Sequence, residues 1–418
     1  MRRLLCLVVF LAACAAPPPS DGDDEPARSG PIETDPSVHT IQLYRTGEEI
    51  SLPVISLRSG STLSLEFDIL GDAGTQALDV SFRRIATGDG ADLVPSEYLR
   101  GFDRDQIFDA DPSGNTAVRY VHYDYAFPNA SVGFLMGGVY ALTVSTSDGA
   151  PLFERTFFVS EDRVDADLLF GTRLAESGAV APAIQPSARL RPRGDLAGED
   201  AYRFTVCFLR DGDVSNLRCA PEPTLAELAV YGFYLPRDRA FQPLPPTFQL
   251  DLGVLGVSRD IVEADIVAEP PTALLELDYA AFGGEVLDPT LLSASRIDSG
   301  FRDAGEGDGD AEYVDVTFRY VPQGERELPG GVYVRGGFTD LRRSPRSRLT
   351  WVPEFKRYEG TLLVKQGVYA YDYVAPRAPA NRQAVALGQP SVYTALVFYR
   401  DLTRFADRLV GVQSAVAR

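Results

Sequence analysis

Apolar and polar side chains alternate along most of this chain. Leu63, Leu65, Phe67 and Ile69 point one way, while Thr62, Ser64, Glu66 and Asp68 point the other. Phe153, Phe157 and Val159 alternate with Glu154, Thr156 and Phe158. Tyr202, Phe204, Val206 and Phe208 share one face, and Val314, Val316, Phe318 and Tyr320 alternate with Asp315, Thr317 and Arg319. Successive strand side chains point to opposite faces, so a period of two marks strands with one buried face. Helical periodicity is nearly absent. Gly, Pro, Asp and Ser clusters interrupt the runs, as hairpins require. The pattern predicts an all-β chain of antiparallel sheets.

A Gly turn opening a Tyr-bearing strand occurs twice, at Gly137-Gly138-Val139-Tyr140 and at Gly330-Gly331-Val332-Tyr333. Short strands at turn-punctuated intervals, with this repeated phrase, predict tandem immunoglobulin-like β-sandwich domains. Ser160 to Arg163 is polar and closes a first sandwich over 37–162. Asp303 to Asp310 is acidic and Gly-rich, and it sets a second break between a middle sandwich, 163–304, and a C-terminal one, 305–418. The stretch 175–200 reads as a long loop.

The first residues change the picture. Arg2 and Arg3 precede an apolar run from Leu4 to Ala13, too short to span a bilayer. The run ends in Leu11-Ala12-Ala13-Cys14, which resembles a bacterial lipobox. The expectation is a signal peptide over 1–13, lipid on Cys14, and a Pro- and Asp-rich disordered tether over 14–36. Cys6 leaves with the signal. Cys207 and Cys219 remain as a pair in an oxidising compartment, flanking the turn Arg210-Asp211-Gly212-Asp213. A disulfide between them is one reading; two buried free thiols are the other.

The formal charge is -19, and loss of Arg2 and Arg3 makes the chain two units more negative. Nucleic acid and anionic lipid surfaces are poor partners for such a chain. Lys356 and Lys365 are the only lysines; all other basic side chains are Arg.

Candidate chemistry is sparse. The two histidines are His39 and His122. His122 and Asp124 share a strand face, as a dyad or as a simple solvated pair. No zinc spacing, HExxH, GxSxG or P-loop pattern occurs. Asp308-Gly309-Asp310-Ala311-Glu312 is superficially calcium-like but lacks the EF-hand ligand order, and it reads as a solvated linker. No metal, cofactor or catalytic residue is assigned, and no enzyme activity is expected. Tyr369, Tyr371 and Tyr373 share one face, either as core or as an exposed recognition stripe. Tyr98, Tyr123 and Phe127 are the candidate partner contacts.

Several phrases carry a family likeness. They are Ile41 to Ile55, Val94-Pro-Ser-Glu-Tyr-Leu-Arg-Gly-Phe102, Tyr120 to Pro128, and Gly137 to Tyr140. They continue with Gly300 to Arg302, Val332 to Phe338, Tyr358 to Tyr373, Tyr393 to Arg400, and Phe405 to Val412. In order and spacing this set resembles the type IX secretion system plug protein family over most of residues 39–412. Residues 165–300 match poorly, and Thr339-Asp340-Leu341 stands where the family places a Trp. The resemblance implies a plug-type first sandwich and a catalytically inert body. Its partner would be the outer-membrane translocon β-barrel, whose periplasmic mouth it closes, with attachment to the periplasmic face of the outer membrane through the lipid. An alternative is a carbohydrate-binding lipoprotein, for which Trp351, the sole Trp, is the platform to examine.

Overall fold

The structure is a computed structural model. It describes residues 32–71, 74–86, 93–175, 182–227, 230–256, 258–281, 295–297, 311–378 and 390–417. The expected signal segment with Cys6, the Cys14 expected to carry lipid, most of the expected tether and the acidic stretch 303–310 lie outside the described residues.

Nearly every element is a strand, as the alternation predicts. In the first sandwich one sheet runs Val38–Arg45, Leu63–Leu70, Tyr120–Phe127, Asp109–Pro112. The facing sheet runs Val54–Ser56, Pro151–Ser160, Gly138–Thr146, Leu78–Ile85, Arg104–Ile107. Leu65, Phe67, Val80, Phe127, Leu142 and Phe157 fill the space between them. A ribbon of Leu99–Gly101 paired with Val132–Phe134 closes one end.

The second sandwich packs the sheet Val164–Arg173, Ala183–Pro192, Val230–Tyr234, Leu225–Glu227 on a second sheet. That second sheet runs Arg218–Ala220, Phe204–Arg210, Ser391–Asp401, Ala406–Ala417. The third takes Thr247–Asp251, Gly367–Val374, Val332–Gly336, Arg348–Val352, Arg357–Lys365, Tyr313–Val321, Thr272–Tyr279 and Ile261–Asp265. Arg348–Val352 pairs on both sides and so joins its two sheets.

The expected boundaries 163–304 and 305–418 are therefore corrected. Phe241 belongs to the second core and Phe248 to the third, while Tyr393, Val397 and Val410 return to the second. The third sandwich is an insertion between strands of the second. Alternation marks a segment as a strand, but its sheet is decided by pairing across long sequence separations. The reading of 175–200 as a loop is corrected too. Ala183–Pro192 is a ten-residue strand paired along its length with Val164–Arg173. Its Pro186 and alternating Arg residues hide the apolar side, which is Ala188 and Leu190.

Candidate interaction surfaces and the domain interlock

The residues expected to meet a partner face inward. Tyr98, Tyr123 and Phe127 are all buried. Tyr123 stacks on Phe67 with centroids 5.1 Å apart, Phe127 meets Phe157 edge-on at 5.0 Å, and Tyr98 meets Tyr140 at 5.8 Å. They hold the first core together, and as partner contacts they are corrected. A strand's two faces look equivalent in sequence when Tyr and His share the run, so the inward face is fixed only by the opposing sheet.

Tyr369, Tyr371 and Tyr373 are also buried, as core. Tyr369 donates to the Lys365 carbonyl at 2.6 Å; Tyr371 and Tyr373 both donate to Oδ2 of Asp278, at 2.8 and 2.6 Å. Burial pushes the Asp278 carboxyl up to about 7 despite these two donors. The folded protein therefore keeps a proton there that the unfolded chain releases near pH 4. This group's contribution to stability is complete below that pH and is lost as pH rises through about 7. Asp211, raised by burial to about 6, acts in the same direction. Urea denaturation is expected to show lower stability at pH 8 than at pH 5, with about 2–3 kcal/mol of that slope removed by Asp278→Asn. An unchanged slope in the variant would place the titration elsewhere.

His122 does not engage Asp124. Its Nδ1 lies 2.8 Å from Oδ1 of Asp68, the residue directly opposite on the neighbouring strand. Asp68 is the centre of the contact between the first and third sandwiches. Its Oδ2 lies 2.7 Å from Nζ of Lys365 and accepts the Tyr313 hydroxyl at 2.6 Å; Thr40 Oγ1 is 2.6 Å from that hydroxyl. The Asp68 and Lys365 side chains are each only 1% exposed. The Lys365 ammonium also sits 4.4 Å from the centroid of the Tyr120 ring. Burial alone would push the Asp68 carboxyl up; the ammonium and the His122 hydrogen bond outweigh it and hold the carboxyl below its ordinary value. Glu312, the last residue of the calcium-like stretch, accepts the Ala117 and Val118 amides of the first sandwich at 2.5 and 3.2 Å.

The first and second sandwiches meet along another seam. Glu161 pairs with Arg408, whose Nε is 2.8 Å from Oε1, and its amide donates to the Leu409 carbonyl at 3.0 Å. The Arg163 amide donates to Val410 at 2.7 Å, and the Gly137 amide donates to the Glu161 carboxylate at 3.0 Å. A small apolar cluster of Val54, Val139, Phe158, Leu209, Leu396 and Leu409 covers the seam. Phe158, on the polar side of its alternating strand, is apolar because that side meets the second sandwich.

Cys207 and Cys219 are opposite each other on adjacent strands and are disulfide-bonded, with sulfurs 2.01 Å apart. The bond closes the hairpin whose tip carries Asp213 and Ser215 into a cleft of about 240 Å³. Arg155 of the first sandwich and Asp340 and Arg342 of the third line the same cleft. Trp351 is half-buried and packs at 4.9 Å on Tyr358, so it is not a flat exposed platform. Among the described residues, no group of three or more His, Cys, Asp or Glu side chains is placed to hold a metal ion. No helix among them is long and apolar enough to cross a membrane.

The interlock around Asp68 was missed in the sequence. A signal for it exists: Lys365 is one of two lysines and stands in the apolar run Thr361-Leu-Leu-Val-Lys365-Gln-Gly-Val-Tyr369. A buried Lys needs a carboxylate partner.

No curated protein matches the chain. A crystal structure of a hypothetical protein from Parabacteroides merdae superposes over 92% of this chain and 98% of its own, with TM-score 0.77 and 22% identity. At that identity the likeness shows the shared three-sandwich fold. A biofilm associated protein BSP domain aligns over 93% of this chain and 61% of its own, but its TM-score of 0.18 and 6% identity carry no argument. Residues 38–161 match the Type 9 secretion system plug protein 1st domain. That segment coincides with the first sandwich, from Val38 to the seam residue Glu161. The first sandwich of this chain is thus similar to the first domain of Type 9 secretion system plug proteins.

Proposed function

We propose that this protein is a non-catalytic envelope plug, which binds the periplasmic side of the type IX translocon barrel and occludes it. The match of residues 38–161 to the plug first domain carries the reading. The interlocks support it physically. A body that closes a wide pore must resist deformation, and three sandwiches joined by a buried ion pair and a hydrogen-bonded seam move as one block. Lipid on Cys14 tethers the block near the membrane and raises its effective concentration at the barrel. The tether sequence, rich in Pro, Ser, Asp and Gly, leaves the block free to engage and withdraw.

The test is purification of the lipidated full chain from native membranes in mild detergent. A large outer-membrane β-barrel is expected to co-purify, and deletion of the chain is expected to make the outer membrane leak large solutes only while the barrel is present. A preparation without a barrel, combined with an unchanged leak, would overturn the reading.

A further inference from the structure

We infer that the plug meets its partner through an apolar tip at one end of the seam between the first and second sandwiches. The partner surface would carry apolar residues rimmed by carboxylates. The inference rests on the plug reading above and names the face that does the binding.

The tip is the turn between strands Ser391–Asp401 and Ala406–Ala417. Leu402 is 58% exposed and Phe405 67%, and Tyr202, 68% exposed, lies on the turn that precedes the neighbouring strand Phe204–Arg210. Phe204 pairs with Tyr399 at the start of its strand, so the turn before it, which carries Tyr202, lies against the end of Ser391–Asp401. Tyr202 was expected to share the buried face of Phe204. A single 3-10 turn at Ala201–Arg203 precedes the strand and turns it outward instead. Arg203 pins that turn to the hairpin. Its guanidinium donates to the Arg400 carbonyl at 3.0 and 3.2 Å and lies 4.5 Å from the Tyr399 ring centroid.

Folding alone does not ask for these residues. Polar side chains suit an exposed turn, and clustered exposed apolar groups mark interaction sites. Phe405 adopts φ of +51°, a left-handed conformation that Gly or Asn accepts far more readily than an aromatic residue. The turn is also braced. Asp401 accepts the Thr403 and Arg404 amides at 3.0 and 3.2 Å and pairs at 3.1 Å with Arg408, which grips Glu161 across the seam. A rigid aromatic anchor loses little freedom on binding.

Charge selects the partner. Three acids around the tip are engaged by Arg: Asp401 with Arg408, Asp407 with Arg400, and Glu199 with Arg203; Asp200 accepts the Tyr202 amide. Arg404, at the centre of the turn, pairs with no carboxylate of the described residues. In a chain of charge -19, a cation left unpaired among exposed aromatics calls for a carboxylate from outside.

The first sandwich also carries exposed apolar residues close in sequence to the seam. Gly137 is pressed against the Leu409 carbonyl, and two residues before it stands Leu135, half exposed. The Leu135 amide donates to Tyr98 and the Phe102 amide to Ser131, so Leu135 and Phe102 stand at the two ends of the closing ribbon, both exposed. Phe102 is even more exposed than Leu135. The last residue of Val94 to Phe102 thus faces solvent, away from the core that its Tyr98 and Leu99 serve.

The test uses the full chain in its native host, with a photo-crosslinking amino acid placed singly at Phe405, Tyr202, Phe102 and, as a control, Val267. Val267 lies in a separate exposed apolar turn on the third sandwich. The first three positions are expected to crosslink to the barrel that co-purifies with the unaltered chain, and Val267 is not. Crosslinks from Val267 alone would overturn the choice of face and leave the plug reading standing. Crosslinks to lipid, or to a second copy of the chain, would overturn a protein partner at this tip. Absence of any barrel from the unaltered preparation would overturn both readings.

A second measurement uses barrel recovery. Arg404→Glu is expected to lower it about tenfold, while Arg404→Lys stays within about threefold. Phe405→Gly is expected to lower it at least about tenfold with an unchanged or raised Tm. Recovery equal to the unaltered chain in Arg404→Glu and Phe405→Gly would overturn the inference.

Discussion

Lys365→Ala is expected to destabilise the protein by about 3–5 kcal/mol, because Asp68 stays buried after its counter-charge is gone. The two side chains have almost no solvent contact, and the ammonium is 2.7 Å from the carboxylate. His122 and Tyr313 still bond Asp68 in the variant, but neither replaces the full positive charge. The sign of the pH dependence is informative. In the unaltered protein the Asp68 carboxyl is held below its ordinary value, so its contribution is present above about pH 4 and lost as pH falls below that. In the variant, burial dominates and raises the carboxyl, so the loss grows as pH rises above about 4. Asp68→Leu combined with Lys365→Met is expected to recover part of the stability, because an apolar pair carries no desolvation penalty while His122 and Tyr313 lose an acceptor. Urea denaturation at pH 5 and pH 7.5 checks all three proteins. A Lys365→Ala variant within about 1 kcal/mol of the unaltered chain would mean that water already reaches the pair.

Gly137→Ala is expected to part the first sandwich from the second. A Cβ at this position would lie 2.2 Å from the Leu409 carbonyl oxygen and 2.8 Å from Cγ of Glu161. The first of these atoms is backbone and has no rotamer to yield, so the two chains must separate by about 1 Å. That movement stretches the amide bonds from Glu161 to Leu409 and from Arg163 to Val410, together with the Glu161–Arg408 pair. A loss of about 3 kcal/mol or more is expected, concentrated at the seam. Hydrogen exchange should report it as faster exchange of the Glu161 and Arg163 amides, with the core strands Leu63–Leu70 and Gly138–Thr146 still protected. Gly149→Ala is the control. Its φ is +90° but its surroundings are open, so only a backbone strain of about 1 kcal/mol is expected. Equal seam exchange in the two variants would remove Gly137 from the interface.

These two positions also show how far the sequence could be read. Gly137 stands in a Gly-Gly-Val-Tyr phrase that is visible in the chain and repeated at Gly330. Its role is different from what the repeat suggests. Gly330 and Gly331 have φ of +82° and +81° and serve a turn, whereas Gly137 is needed because another backbone passes close by. Lys365 was visible as a rare residue type, but its partner lies nearly 300 positions earlier in another sandwich. The aromatic candidates Tyr98, Tyr123 and Phe127 were legible as a cluster of aromatic residues, yet the side they face depends on a sheet that closes over them. Conversely, Leu402 and Phe405 gave no signal as surface residues, since apolar side chains near a strand normally read as core.

Half-buried strands are legible from local pattern, because side-chain direction alternates with every residue and depends on no distant partner. The pairing-competent cysteines, the acidic surface and the phrases of the plug family are legible in the sequence too. The insertion of the third sandwich between strands of the second emerges only from the folded chain. So do the placement of particular tyrosines in the core, the mutual neutralisation of Asp68 and Lys365 across an interface, and the bareness of the Phe405 turn. Each of these depends on contacts between segments far apart in the chain, and a local periodicity carries no information about which distant surface will cover it.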